Sequence, residues 1–238
     1  MKDEHSVEAI RERPSAGPRH NYLRDWIYGG KDGSLTTFAV VIGVVGAHLS
    51  PLVIVIVGLA NLVGNGFSRA ASNFLGAKSE HDDINHLATA GHRRIEFAPE
   101  GEREKVRQIF AGKGFAGADL ERVVELITSD RERWVRTMLA EEYALPRAAR
   151  SPWLASIATF SAFVICGLVP LVPFLLNVGR PLRLSILVTG AVFFAIGSAK
   201  SRWSTVPWWR SGLSTLFVGG VAAGLSYAVG AWLKNLVN

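Results

Sequence analysis

Residues 22–80 read YLRDWIYGGKDGSLTTFAVVIGVVGAHLSPLVIVIVGLANLVGNGFSRAASNFLGAKSE, two apolar segments joined by a short turn that contains Pro51. Asp25 and Asp32 lie at the start of the first segment, and Arg69 lies within the second. Segments of this length are typical of membrane-spanning helices, in which an ionisable side chain is costly and usually faces a cavity, a pore or a partner. The stretch therefore predicts a membrane protein, and these three charges mark its pathway.

The acidic residues are confined to two blocks of the chain. Every Asp and Glu lies in positions 3–32 or 80–142, so residues 143–238 carry none. A domain surrounded by water distributes carboxylates over its surface, which indicates that the last part of the chain meets lipid. It contains three further apolar spans of roughly the 20 residues that cross a hydrocarbon core, at 153–176, 182–199 and 212–233. We therefore predict an all-α membrane protein with five transmembrane helices.

The charge pattern also predicts the domain order and the orientation. Thirteen Lys and Arg residues lie between positions 78 and 150, and the turn at 48–51 has none. By the positive-inside rule, the N-terminus and the charged middle are cytoplasmic. The compactness of the chain and the lack of a targeting segment favour a bacterial-type inner membrane. The excess of basic residues is explained by this topology and by anionic headgroups, so no nucleic-acid partner is expected. The predicted parts are a tail (1–21), two membrane helices (22–78), a cytoplasmic helical domain (79–150) and three membrane helices (151–238).

Within the charged middle, the apolar pattern predicts a stalk and three short helices. The second span is expected to run past Lys78 through residues 81–97. The short helices are predicted from Pro99 to Gly112 or Gly114, from an N-cap at Asp119, and from about Asp130 to the residue before Pro146. Because such short helices have little core of their own, we expect them to pack on the stalk or on a second subunit.

A set of carboxylates with a thioether recurs in this middle region. Glu142 lies four residues after Met138 and so shares its helical face, while Glu96 and Glu104 precede and begin the neighbouring helix. Carboxylate oxygens together with sulfur suit a divalent transition metal such as Fe(II). The same residues also fit solvated helix faces with a packed methionine. Spacing alone leaves both interpretations open.

Four motifs in a fixed order resemble the vacuolar iron transporter (VIT) family. They are RDWIYGGKDG (24–33), TTFAVVIGVVGA (36–47), GAKSE (76–80) and SDRERWVRTMLAEE (129–142). The resemblance implies a homodimer with five membrane helices per subunit and a path at the dimer interface. It also implies transport of Fe(II), sometimes Mn(II), out of the cytosol in exchange for protons, with no fixed cofactor.

Position by position, the resemblance assigns the transport path to Asp25 and Asp32, with Asp32 as the binder of metal and proton. A salt bridge, for example to Lys31, is the alternative role for Asp32. Asn61 and Arg69 stand where such transporters carry a glutamate and a methionine. Asn61 keeps a carbonyl oxygen but brings no charge and carries no proton. Arg69 would repel Fe(II) unless it pairs with Asp25, Asp32 or a carboxylate of a dimer mate.

In the cytoplasmic domain, the resemblance implies metal binding at four residues: Glu96, Glu104, Met138 and Glu142. Arg93 and Arg107 occupy two further positions where carboxylates are expected. Glu100, Glu102 or Glu141 are candidates to compensate. Ion pairs of Arg93 with Glu104, or of Arg107 with Glu96, would instead hold the same helices together without metal.

Three functions follow from these features. The leading hypothesis is a secondary transporter, and not an enzyme, that exports Fe(II) or Mn(II) by proton exchange. The second is a relative in which Asn61 and Arg69 have abolished or altered transport. The third is a membrane-anchored structural or sensing protein whose cytoplasmic helices bind a partner.

Overall fold

A computed structural model describes residues 22–143, 145, 150–203 and 205–237, and the predicted tail at 1–21 lies outside them. The described part is helical and contains no strand. Its α-helices are α1 (Leu23–Gly46), α2 (Pro51–Phe97), α3 (Pro99–Gly112), α4 (Gly117–Thr128), α5 (Arg131–Glu142), α6 (Pro152–Leu168), α7 (Val172–Leu175), α8 (Pro181–Lys200) and α9 (Trp208–Val237).

Three of these helices are long and apolar enough to cross a membrane. They are α2, α8 and α9, judged by length and composition. Helix α6 is apolar but has 17 residues. Helix α1 has 24 residues and carries four charged side chains in its first half, Arg24, Asp25, Lys31 and Asp32. The part of the chain that the structure describes is thus all-helical, with three candidate membrane spans.

The chain divides into two compact units, and the division falls within α2. We call the described residues of 22–75 and 152–237 the membrane unit, because they contain the apolar part of α2 and all of α8 and α9. We call the described residues of 76–151 the charged unit. Each unit has its own buried core.

In the membrane unit, α1 packs against α6, α8 and α9, and its contact with α6 is exceptionally close. A Cβ atom on Gly29 would lie 2.6 Å from the carbonyl oxygen of Thr159, and one on Gly33 would overlap the backbone of Phe163. Small residues permit such close approach in lipid, where van der Waals contact drives helix association. Both glycines therefore fix the position of the charged half of α1.

The predicted span at 153–176 is not one helix, which corrects the sequence-based expectation. Helix α6 ends at Leu168, and the short α7 follows. Pro170 has no amide hydrogen and disfavours helical backbone in the residue before it. The amide of Phe174 bonds to the Leu171 carbonyl, and the Pro170 carbonyl instead accepts a hydrogen bond from Ser185 Oγ at 2.8 Å. The interruption is therefore a satisfied, buried turn.

The charged unit is built on the end of α2, which continues to Phe97 as predicted. Ile95 of α2 lies in a core with Val106 of α3, Val124 of α4 and Trp134 of α5. The short helices thus pack on the stalk, which is one of the two arrangements expected.

Two of the three predicted helix starts in this unit are confirmed, whereas α5 ends at Glu142 and so is shorter than predicted. Helix α3 runs from Pro99 to Gly112, and Asp130 caps α5 by accepting a hydrogen bond from the Arg133 amide at 2.6 Å. The predicted cap at Asp119 is wrong, because α4 begins at Gly117. The N-cap is Ala116, three residues before the predicted one, and the first helical residue, Gly117, has a φ of +56°, which suits glycine.

Candidate ion path

An ion pair joins α1 to α2 at the centre of the candidate path. Arg69 Nε lies 2.6 Å from Asp32 Oδ2. Of the three partners that the sequence left open for Arg69, the structure thus shows Asp32. The alternative salt bridge between Asp32 and Lys31 is not among the ion pairs of the described residues.

The pair faces a cavity of about 510 Å³. The cavity is lined by Asp25, Tyr28, Gly29, Lys31, Asp32, Leu35, Arg69, Ser72, Asn73 and Thr159. Two carboxylates and two basic groups therefore face the same space, and their formal charges cancel. The cavity holds the two aspartates and the arginine that the sequence assigned to the path.

Asp25 is connected to two other helices through Asn73, which the sequence analysis did not single out. Asn73 Nδ2 lies within hydrogen-bonding distance of Asp25 Oδ1 at 3.1 Å. It also lies 2.7 Å from Thr159 Oγ1 and 3.2 Å from the Ala155 carbonyl oxygen, both on α6. This asparagine thereby joins α1, α2 and α6 beside the cavity.

Asn61 lies in a second polar contact between α1 and α2. Its Nδ2 donates to the buried Thr37 Oγ1 at 3.4 Å, and its Oδ1 accepts a hydrogen bond from Asn65. The carbonyl oxygen that the sequence offered as a metal ligand is thus engaged by a neighbouring amide.

The polar residues of α2 form a stripe, which we define as Asn61, Asn65, Arg69 and Asn73. They recur at every fourth position, so they share one face of the helix, and the other residues between them are apolar apart from Ser68 and Ser72. This spacing is visible in the sequence and would have identified Asn65 and Asn73 together with the two residues that were considered.

In the charged unit, each predicted metal-binding carboxylate has its own basic partner. Arg131 Nη2 lies 3.2 Å from Glu96 Oε2, and Lys105 Nζ lies 3.7 Å from Glu142 Oε1. Glu104 pairs with Arg107. Met138 is 2% exposed and lies in the hydrophobic core of the unit.

The predicted ion pairs of Arg93 with Glu104 and of Arg107 with Glu96 are wrong, because neither arginine bonds the glutamate predicted for it within the described residues. Arg107 bonds Glu104 and, through Nε and Nη2, both carboxylate oxygens of Glu121 at 2.8 and 3.0 Å. These bonds lower the pKa of Glu121. Glu96 is paired with Arg131 and not with Arg107, and no bond between Arg93 and Glu104 occurs among the described residues. The helices are held by ion pairs, but by a different set.

Of the three candidates to compensate for the missing carboxylates, two are also paired. Lys105 Nζ lies 3.0 Å from Glu102 Oε1, and Lys113 pairs with Glu141. Glu100 is exposed. No group of three or more His, Cys, Asp or Glu side chains is placed to hold a metal ion within the part of the chain that the structure describes. The metal-binding roles of Asp32, Glu96, Glu104, Met138 and Glu142 accordingly stay predictions.

Fold and site together define a helical membrane protein with paired charges in a cavity between its first helices. The sequence matches the VIT family over residues 23–231. The chain belongs to the VIT family, as its motifs predicted. It is similar to the "Vacuolar iron transporter" of Toxoplasma gondii, with 28% identity over 98% of this chain and 83% of that protein. It is also similar to "Vacuolar iron transporter 1" of Arabidopsis thaliana, with 27% identity over 87% of this chain and 84% of that protein.

Proposed function

We propose that the chain is a secondary transporter that moves a divalent transition metal, Fe(II) or Mn(II), out of the cytosol in exchange for protons. Membership of the VIT family and the names of its relatives support iron as the first candidate substrate. The proposal includes five membrane helices, with α1 and α6 added to the three candidate spans. It also includes a cytoplasmic N-terminus and a cytoplasmic charged unit.

The observation that carries this proposal is the carboxylate of Asp32 facing the cavity between α1 and α2. An ionisable group within a membrane-spanning segment is expensive and is seldom without a function. A carboxylate that must be deprotonated to accept a metal ion couples metal binding to proton release. We assign Asp32 this role, with Asp25 next to it along the path.

A homodimer is part of the proposal because of the stripe on α2. Arg69 and Asn65 are exposed on the membrane unit, next to the exposed apolar side chains of Val63 and Phe67. An exposed charge of this kind does not face hydrocarbon without a large penalty. A second copy that covers this face would give the polar groups a shared, water-accessible path away from lipid.

The same proposal makes the charged unit a place where metal ions collect before transport, at Glu96, Glu104, Met138 and Glu142. A bound metal ion would have to displace the basic partners of the three glutamates. Replacement of the four residues together is expected to weaken Mn²⁺ binding to the purified full chain. Unchanged Mn²⁺ affinity would remove the metal-binding role of this unit.

Transport is tested with the purified full chain in liposomes loaded with a metal-sensitive dye. We expect Mn²⁺ or Fe²⁺ flux that grows with an imposed pH gradient, and its loss in Asp32→Ala. Asp119→Ala is the matched control, since Asp119 is an exposed aspartate of α4 in the charged unit. No flux of either metal at any imposed pH gradient would contradict the proposal.

The ion pair of Arg69 with Asp32 favours one second candidate, a VIT-family protein in which transport is lost or altered. In such a protein the guanidinium of Arg69 stays bound to the Asp32 carboxylate, which would otherwise bind the metal. A wild-type chain without flux, together with flux in Arg69→Met, would support this candidate over the first.

A further inference from the structure

Arg69 engages Asp32 through a single short contact. Only Nε of the guanidinium bonds to the carboxylate, through Oδ2 at 2.6 Å. The side chains of Arg69 and Asp32 are 57% and 27% exposed. An arginine that is buried and bound through two nitrogens would be fixed in place, whereas this one can leave the carboxylate without disturbing the packed core.

The position of Arg69 makes it a competitor for any cation that enters the cavity. A group tethered beside its partner acts at an effective concentration on the order of millimolar. A monovalent cation carries the same single charge as the guanidinium, so its charge alone gives it no advantage at Asp32. A divalent ion carries twice the charge and approaches carboxylate oxygens to about 2.0–2.2 Å, which is closer than the guanidinium nitrogen.

The charges of the cavity lead to the same conclusion. Asp25 and Asp32 are balanced by Lys31 and Arg69, so the cavity as a whole does not attract cations. When the guanidinium leaves Asp32, two carboxylates and one lysine remain around the vacated position. A cation therefore binds well only if it moves Arg69 away.

We infer that the guanidinium of Arg69 binds the Asp32 carboxylate in the resting protein and competes with any cation that enters the cavity. This competition sets the selectivity of the protein for divalent over monovalent cations. This inference rests on the proposed function, because it names the residue that decides which ions enter the same path. Selectivity arises from competition: a divalent metal displaces the guanidinium, and Na⁺ or K⁺ does not. The cost of displacement lowers the affinity for the metal.

The test measures Mn²⁺ binding to the detergent-purified full chain by titration calorimetry, with and without excess K⁺. Arg69→Met is expected to bind Mn²⁺ at least tenfold more tightly than the wild type, and K⁺ is expected to weaken binding in this variant alone. The double variant Asp32→Asn with Arg69→Met must lose the gain in Mn²⁺ affinity, because the inference places the added binding at the Asp32 carboxylate. Arg183→Met is the control, because Arg183 is an exposed arginine of α8 in the same unit.

Arg69→Lys keeps the test available if Arg69→Met does not fold. A lysine keeps the charge but is a strongly hydrated point charge on a flexible stem. We expect a smaller gain in Mn²⁺ affinity, about two- to threefold. Equal or weaker Mn²⁺ binding in both variants, or the same K⁺ effect in wild type and Arg69→Met, would overturn the inference.

Flux measurements on the same preparations separate this inference from the proposed function. If the wild type carries no flux but Arg69→Met gains Mn²⁺ affinity, transport by this chain is disproved and the competition by Arg69 stands. If the wild type transports Mn²⁺ and the variants bind it no better, the proposed function stands and the inference is overturned.

Discussion

In the membrane unit, α1 meets α6 through Gly29 and Gly33, whereas the helices of the charged unit meet through Val106, Val124 and Trp134. The difference is the one expected between helices that associate in lipid and helices that associate in water. Lipid tails are as apolar as a leucine side chain, so helices in a membrane gain little from apolar burial and associate by close backbone contact and polar bonds. Helices in water associate by burying apolar side chains.

The ion pairs of the two units differ in the same way. Arg69, which is 57% exposed, and Asp32 line a cavity within the membrane unit, whereas Arg107 joins Glu104 of its own helix to Glu121 of α4. An exposed pair is screened by water and salt and contributes little to stability. The pair of Arg69 with Asp32 lies in the candidate ion path, whereas the pairs of Arg107 join two helices of the charged unit.

The sharpest test of this contrast is Trp134→Ala, which removes the largest side chain of the buried core in the charged unit. We expect a loss of about 3–5 kcal/mol in the stability of this unit. Hydrogen exchange on the full chain should show loss of protection in α3, α4 and α5. Phe97→Ala is the control, since Phe97 is 85% exposed. Protection that survives Trp134→Ala would mean that the apolar core does not hold the unit together.

Gly33→Val tests the close contact of α1 with α6. The added side chain would overlap the backbone of Phe163, which cannot move aside as a side chain does. We expect a destabilisation of about 1–3 kcal/mol, seen as a lower unfolding temperature in detergent. Gly64→Val should have little effect, because nothing lies within 4 Å of a Cβ atom at that position. Equal effects of the two substitutions would contradict this packing.

A smaller effect is expected from Asn73→Leu, which removes the polar link between α1, α2 and α6. Hydrogen bonds between membrane helices contribute about 0.6–2 kcal/mol, so the unfolding temperature in detergent should fall modestly. An unchanged unfolding temperature would show that Asn73 is not a structural link of the membrane unit.

The smallest effect concerns Glu121 and pH. Because the bonds from Arg107 lower the pKa of Glu121 in the folded state, they stabilise the charged unit above the pKa of the unfolded chain, about 4.3. This stabilisation is lost as the pH falls below that value. Unfolding of wild type and Glu121→Gln, compared at pH 7 and in acid, should show a weaker pH dependence in the variant.

Glu125→Gln is the control for this comparison, because Glu125 is an exposed glutamate of the same helix. High salt should reduce the difference between wild type and Glu121→Gln at pH 7. A pH dependence that is the same in both chains would contradict the assigned role of the Arg107 bonds.

Local features of the fold were predictable from the sequence, and long-range partners were not. Pro99, Gly112 and Asp130 mark helix ends because caps and breakers act within a few residues. The partner of Glu96 is Arg131, 35 positions later, and no local rule selects it from the other arginines.

In the candidate site, too, local patterns were predictable and long-range partners were not. The sequence predicted that Arg69 needs a carboxylate and named three candidates, and only the folded arrangement of α1 and α2 around the cavity selects Asp32. Asn73 was missed although the four-residue spacing on α2 identifies it. The interruption after α6 was missed because the apolar pattern continues through Pro170 without a break.

That interruption has a consequence for how the sequence can evolve. The Pro170 carbonyl lies in the buried interior and accepts its hydrogen bond from the buried Ser185 hydroxyl. A relative that replaces Pro170 and restores the helix no longer needs a hydroxyl at position 185, whereas one that keeps the proline does. The two positions should therefore vary together within the family, with serine or threonine at 185 wherever proline is present at 170.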